Sequence, residues 1–293
     1  MDRQILPFTW IHGYTRRDVG AMPGTYTANY SMVDLMRRGF IDPAAARSLL
    51  LESGLDDFVW QVTWPEDFET PDEYLDDRMD EAQGFAIFVH GWTGNHGIWE
   101  ELPAHVVHAN RRLIALSVDH NGFGRSRFTD TTPALNTCNP PAAMRTLERW
   151  INVLNLRRQP GSTNHKVINF IGHSMGGATL FYLNPLLWRY GEVTRYAVAP
   201  ALLLEDDMHR AFYSTLGRGI GILQHLPALE VIERAIKPTV VNVLCAGSSP
   251  EVKQMHLKQY NETPRGITGA TFMAMGQLRD TEIARDWSLF RVI

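Results

Sequence analysis

The pentapeptide Gly172-His173-Ser174-Met175-Gly176 lies where the apolar run Val167-Ile168-Asn169-Phe170-Ile171 gives way to helical spacing. A serine on a sharp strand-to-helix turn presents its hydroxyl as a nucleophile. Glycine flanks it because the turning backbone leaves no room for a Cβ. Gly172 and Gly176 fill those positions, and Gly177 carries the narrow region into the helix. A second motif, His90-Gly91-Trp92-Thr93-Gly94, directly follows Phe85-Ala86-Ile87-Phe88-Val89. Attack on an acyl carbon puts negative charge on the carbonyl oxygen, and fixed backbone donors can hold it, each worth roughly 3 kcal/mol. The N–H of Trp92 and the N–H of Met175 are the candidates, with the Trp92 ring at the pocket mouth. His90 reads as a loop support bonded to backbone rather than as a base. His173 leaves the turn in a different direction from Ser174, so it lines the pocket or bonds a neighbouring loop. Asp119 opens Asp119-His120-Asn121-Gly122-Phe123-Gly124-Arg125-Ser126 and reads as a cap for local backbone donors in a glycine-permitted turn.

These motifs must be carried by strands that end at a common edge. Short unbroken apolar runs at 85–89, 113–118, 167–171 and 196–199 read as strands buried on both faces. Helical spacing over Pro141–Arg157 and Met175–Tyr190 alternates with them. That alternation implies a mostly parallel, doubly wound α/β sheet. Residues 1–57 form a helical preface. Within it Asp42 caps a helix that begins at Pro43 and stops at Gly54. The α/β core spans 58–200, opening with an antiparallel strand over Phe58–Trp64. Residues 201–286 are an insertion, a helical cap cut into short pieces by Gly217, Gly219, Gly221, Pro227 and Pro238. Residues 287–293 open a seventh core strand.

Composition narrows the classes. Of 293 residues, 44% are hydrophobic and 20% charged, as in a globular chain. The net charge of −4 offers no general attraction to nucleic acid. Cys138 and Cys245 cannot make a disulfide framework. No apolar segment is long enough to span a membrane and the start has no leader-like run, so a cytoplasmic protein is expected. His96, His105, His108 and His165 lack metal-ligand spacing, so neither metal nor cofactor is expected.

Taken together, the motifs resemble the α/β-hydrolases, the superfamily of serine esterases, lipases and related acyl hydrolases. His90-Gly91, Asp119-x-x-Gly122-x-Gly124-x-Ser126 and Gly172-His173-Ser174-Met175-Gly176-Gly177 match in order. Tyr196–Pro200 and the insertion after it look like the family's sixth strand and cap. The stretch Tyr260-Asn261-Glu262-Thr263-Pro264-Arg265-Gly266 is similar to part of the acid-lipase cap. The resemblance implies an acyl-enzyme on Ser174, and the apolar cap stretch Gly219-Ile220-Gly221-Ile222-Leu223-Gln224-His225-Leu226 with Trp92 leads us to expect a small ester substrate with an apolar group. Alternatives are a thioesterase or acyltransferase using Ser174, or an inactive binding protein that keeps the elbow.

The family's chain order is serine, then acid, then histidine, the last two following the seventh and eighth strands. No acid or histidine follows Leu289–Ile293 in this sequence. The expectation is therefore a C-terminal segment or second polypeptide of roughly 50–90 residues that completes the fold and triad. The alternative draws the acid from Glu205, Asp206 or Asp207 and the base from His209, His225 or His256 in the cap. An inactive relative is the third possibility.

Overall fold

The computed structural model describes residues 25–65, 79, 81–157, 166–184, 188, 192–201, 207–278 and 290–292. Seven strands form one sheet in the order β1-β2-β4-β3-β5-β6-β7. They are β1 (Thr25–Ser31), β2 (Val59–Pro65), β3 (Gly84–Val89), β4 (Leu113–Val118), β5 (Val167–His173), β6 (Val193–Val198) and β7 (Phe290–Val292). The first two join antiparallel at one edge, and the pairs from β4 to β7 are all parallel. Every residue of β3 is buried, because strands flank it on both sides and helices cover both faces.

The preface departs from the helical expectation. Besides α1 (Met32–Arg37) and α2 (Pro43–Ser53) it supplies the edge strand β1, whose seven residues all pair with β2. The alternating Thr-Tyr-Thr-Ala-Asn-Tyr-Ser favours a pleated, half-buried surface. The α2 punctuation forms as written: Asp42 accepts from the Ala44 N–H at 3.0 Å, and Gly54 closes the helix at φ 66°. Next come α3 (Leu102–Ala109) and α4 (Pro140–Val153). The latter packs Trp150 edge-on against Trp60, with ring centroids 5.3 Å apart.

A long helix over Met175–Tyr190 is not what forms. Instead α5 spans only Met175–Thr179 and tightens into a 3₁₀ turn over Leu180–Tyr182. The tighter winding buries Leu180, Phe181 and Leu183 together. Residues 185–187, 189 and 190 lie outside the described set.

The cap is helical, but its glycines do not cut it. Gly217, Gly219 and Gly221 lie inside α6 (Asp207–His225), and Pro238 lies inside α7 (Glu230–Leu244). Two further helices follow, α8 (Pro250–Glu262) and α9 (Ile267–Gly276). The glycines serve contact instead. A Cβ on Gly217 would meet the Met273 nitrogen at 2.6 Å, and one on Gly269 would meet the Gly221 nitrogen at 2.6 Å. With backbones this close, α6 covers α9, which is buried at eight of its ten positions.

Candidate active site

The strand order reverses around β3: the chain steps to β4 on one side and then crosses to β5 on the other. The carboxyl ends of such strands open onto a crevice. Val89 at the end of β3 pairs with Gly172, and His173 pairs with Val198. The loop after β3 and the turn after β5 therefore meet there. Ser174 sits in that turn at φ 54° and ψ −117°, a conformation that costs a non-glycine residue about 1–3 kcal/mol. The neighbours hold it. Its N–H donates to the Val198 carbonyl at 3.0 Å, and its carbonyl accepts from Ala178 at 2.9 Å and Ala201 at 3.0 Å.

The flanking glycines are required by contact. A Cβ on Gly172 would lie 2.5 Å from the Gly176 carbonyl oxygen, and one on Gly176 would lie 2.1 Å from the Val89 oxygen. On Gly91 it would stand 3.0 Å from the Ser174 Cβ, so the loop after β3 presses directly on the serine. Met175 begins α5, so its N–H has no acceptor within the helix. The Trp92 ring is half-buried rather than loose at a mouth. Its N–H donates to the Thr268 carbonyl at 3.3 Å, and its ring lies 4.1 Å from Phe272 and 5.3 Å from Tyr260. Cap helices α8 and α9 thus clamp the residue whose backbone N–H is the second oxyanion candidate.

His90 is fully committed. Its Nε2 accepts the His120 N–H at 2.8 Å, which leaves the proton on Nδ1, 2.6 Å from the Gly91 carbonyl oxygen. Burial pushes its pKa down to about 4, against a smaller opposing pull from Asp119. A neutral imidazole with both nitrogens bonded holds a loop and does not accept a substrate proton. His120 is buried too, and its Nε2 lies 3.2 Å from the Thr179 hydroxyl. Because that hydroxyl donates to the Met175 carbonyl at 3.0 Å, the ring N–H must be the donor to it. His120 thereby ties the loop after β4 to α5.

Asp119 caps both loops at once. It accepts the His96 N–H at 2.7 Å, the Arg125 N–H at 2.8 Å and the His96 ring at 2.8 Å. Burial opposes its charge, but the His96 and His90 rings and the Arg125 N–H outweigh burial and hold the carboxyl below the usual range. The roles of His120 and His96 were not legible in the sequence, where neither stands at a telling distance from its partner.

Of the cap candidates, Asp207 is solvent-exposed and paired with Arg210 at 2.5 Å. Glu205 and Asp206, and the side chains of His209 and His225, lie outside the described residues. His256 on α8 is half-buried; burial lowers its pKa, and the His173 ring lowers it further. Among the described residues no carboxylate contacts it. His173 itself is partly buried beside Gly91, and burial lowers its pKa. Among the described residues no cluster of histidine, cysteine and acidic side chains could hold a metal, and no helix is long and apolar enough to cross a membrane.

The family model described as alpha/beta hydrolase fold matches residues 87–184, the stretch that carries both motifs. No curated protein matches the chain in sequence. Among solved structures, an esterase from Exiguobacterium antarcticum superposes with a TM-score of 0.50 at 14% identity, over 76% of this chain and 71% of that one. A thermophilic esterase from Thermogutta terrifontis gives 0.51 at 15%, over 77% and 70%. At such identities the likeness is one of fold. The chain has the α/β-hydrolase fold.

Proposed function

With the α/β-hydrolase fold as premise, we propose that the protein is a serine hydrolase that cleaves carboxylic esters through an acyl-enzyme on Ser174. The Ser174 Oγ attacks the ester carbonyl as a histidine takes its proton. The oxyanion is held by the N–H groups of Trp92 and Met175, and the alcohol leaves with the proton returned. Water then repeats the sequence and frees the acid. His90 and Asp119 position the Trp92 loop. In this reading the acid and the base lie outside the described residues.

The observation that supports this most directly is the strained Ser174 backbone pressed against Gly91. Glu100, at the end of a 3₁₀ turn, has nearly the same backbone angles, φ 46° and ψ −120°, so the support comes from where the strain sits: on a serine at a strand-to-helix turn between glycines that admit no Cβ. The apolar clamp of Phe272 and Tyr260 around Trp92 supports a substrate with an apolar group. A second reading makes His256 the base, supported by its place on α8, the helix that also packs Tyr260 against Trp92.

A fluorophosphonate probe tests the serine. Stoichiometric labelling of the native preparation is expected, and Ser174→Ala should abolish it. An unlabelled native preparation refutes the proposal and leaves a binding protein that keeps the fold.

A further inference from the structure

A cavity of about 510 Å³ opens in the cap, and neither Ser174 nor Trp92 lines it. One wall is a single face of α7, where Glu230, Glu233, Arg234, Lys237 and Pro238 recur at spacings of three and four residues. Leu257 of α8 and Arg265, just before α9, stand on the other side. Charges on a helix face turned to water cost little, but Glu233 and Lys237 are only 4% and 8% exposed. Glu233 is saturated. Its Oε1 accepts from Lys237 and from Gln224, each at 3.2 Å, and its Oε2 accepts from the Arg265 Nε at 3.1 Å. The cations are not. Lys237 has three N–H donors, yet among the described residues its one carboxylate partner is Glu233, and its Nζ otherwise stands 4.7 Å from the centre of the Tyr260 ring. The Arg265 Nη1 lies 3.7 Å from the Glu230 Oε2, too far for a hydrogen bond.

We propose that this cavity binds a small organic carboxylate, at a site separate from the elbow. The lining holds three cations, Arg234, Lys237 and Arg265, against two carboxylates, a net of one positive charge. A singly charged oxyanion balances that charge and supplies the acceptors that Lys237 and Arg265 lack. A phosphate group, at about −1.5 to −2, would exceed it. Leu257 and Pro238 offer an apolar wall to the ligand's hydrocarbon part, and the volume suits a small molecule. Arg234, whose side chain is 74% exposed, stands at the rim, where an anion enters. The acid freed by cleavage at Ser174 belongs to this ligand class. That link rests on the Ser174 reading; the binding does not.

Isothermal titration with sodium hexanoate tests it, beside hexyltrimethylammonium and inorganic phosphate. One hexanoate should bind per chain, equally in the native protein and in Ser174→Ala. Phosphate should bind more weakly and the ammonium ion not at all. Lys237→Gln should weaken hexanoate binding about tenfold. Leu257→Trp, which fills the cavity without touching a charge, should weaken it at least as much with the melting temperature unchanged. Since Lys237→Gln also takes a partner from buried Glu233, Arg234→Gln at the rim serves as the variant that leaves the fold alone, with a loss of about threefold. Absence of hexanoate binding overturns the proposal, as does binding that all three variants leave unchanged. Phosphate or the ammonium ion bound more tightly than hexanoate overturns the ligand class. Hexanoate binding without fluorophosphonate labelling would sink the serine reading and leave the cap site intact, and labelling without binding would do the reverse.

Discussion

Gly176→Ala should disable the site by moving it, without touching the nucleophile. The added Cβ would lie 2.1 Å from the Val89 oxygen and 2.5 Å from the His90 oxygen, both backbone atoms at the end of β3. No side chain can swing away, so the elbow and β3 must part by about 1 Å, with an overpacking cost of about 1–3 kcal/mol. A displacement of that size between the nucleophile and its oxyanion donors costs about 100-fold in rate. The matched control is Gly219→Ala in α6, where nothing lies within 4 Å of the new Cβ. There the same substitution should stabilise by about 0.5–1 kcal/mol, because alanine loses less chain entropy on folding and suits a helix interior. Urea denaturation of both variants, with the rate of fluorophosphonate labelling, reads both effects. Native-like stability and labelling in Gly176→Ala would refute the close packing of the elbow on β3, and with it the account of how Ser174 is aimed.

Acid should destabilise the fold through His90, whose pKa is held at about 4 against 6.5 for the free side chain. As pH falls the unfolded chain takes up the proton first. Its contribution is therefore complete above about pH 6.5 and lost between about 6.5 and 4, a change of about 3 kcal/mol. His120 acts in the same sense, while Asp57 and Glu148, whose carboxyls burial pushes up, act in the opposite one. A urea midpoint that stays flat from pH 7.5 to 4.5 would contradict this. Asp119→Ala strands the His96 and Arg125 N–H groups and should cost about 2–4 kcal/mol in the same assay, and Asp119→Asn less. His256→Ala should leave Ser174 labelling within about threefold if the base lies elsewhere, whereas a loss of about 100-fold or more would make His256 the base.

Much of the site was legible in the residue order because its requirements are local. Gly172, Ser174 and Gly176 answer to one turn, and an apolar run followed by Gly-x-Ser-x-Gly specifies that turn within a few residues. The same holds for α2, whose Asp42 cap and Gly54 stop act on adjacent backbone. Where distant segments decide, the pattern misled. Gly217 and Gly221 read as helix breakers, but α6 keeps them because α9 approaches at backbone distance through Gly269. Edge strand β1 needed β2 beside it before Thr25–Ser31 could read as a strand.

Sequence alone settled the fold class and the turn that presents Ser174, since periodicity and tight-turn chemistry are properties of neighbouring residues. Only the tertiary structure settled what each histidine does. His90, His96 and His120 are alike as letters. Burial and three contacts made across separate loops, with the His120 N–H, with Asp119 and with Thr179, give each its tautomer or partner and commit all three to holding loops.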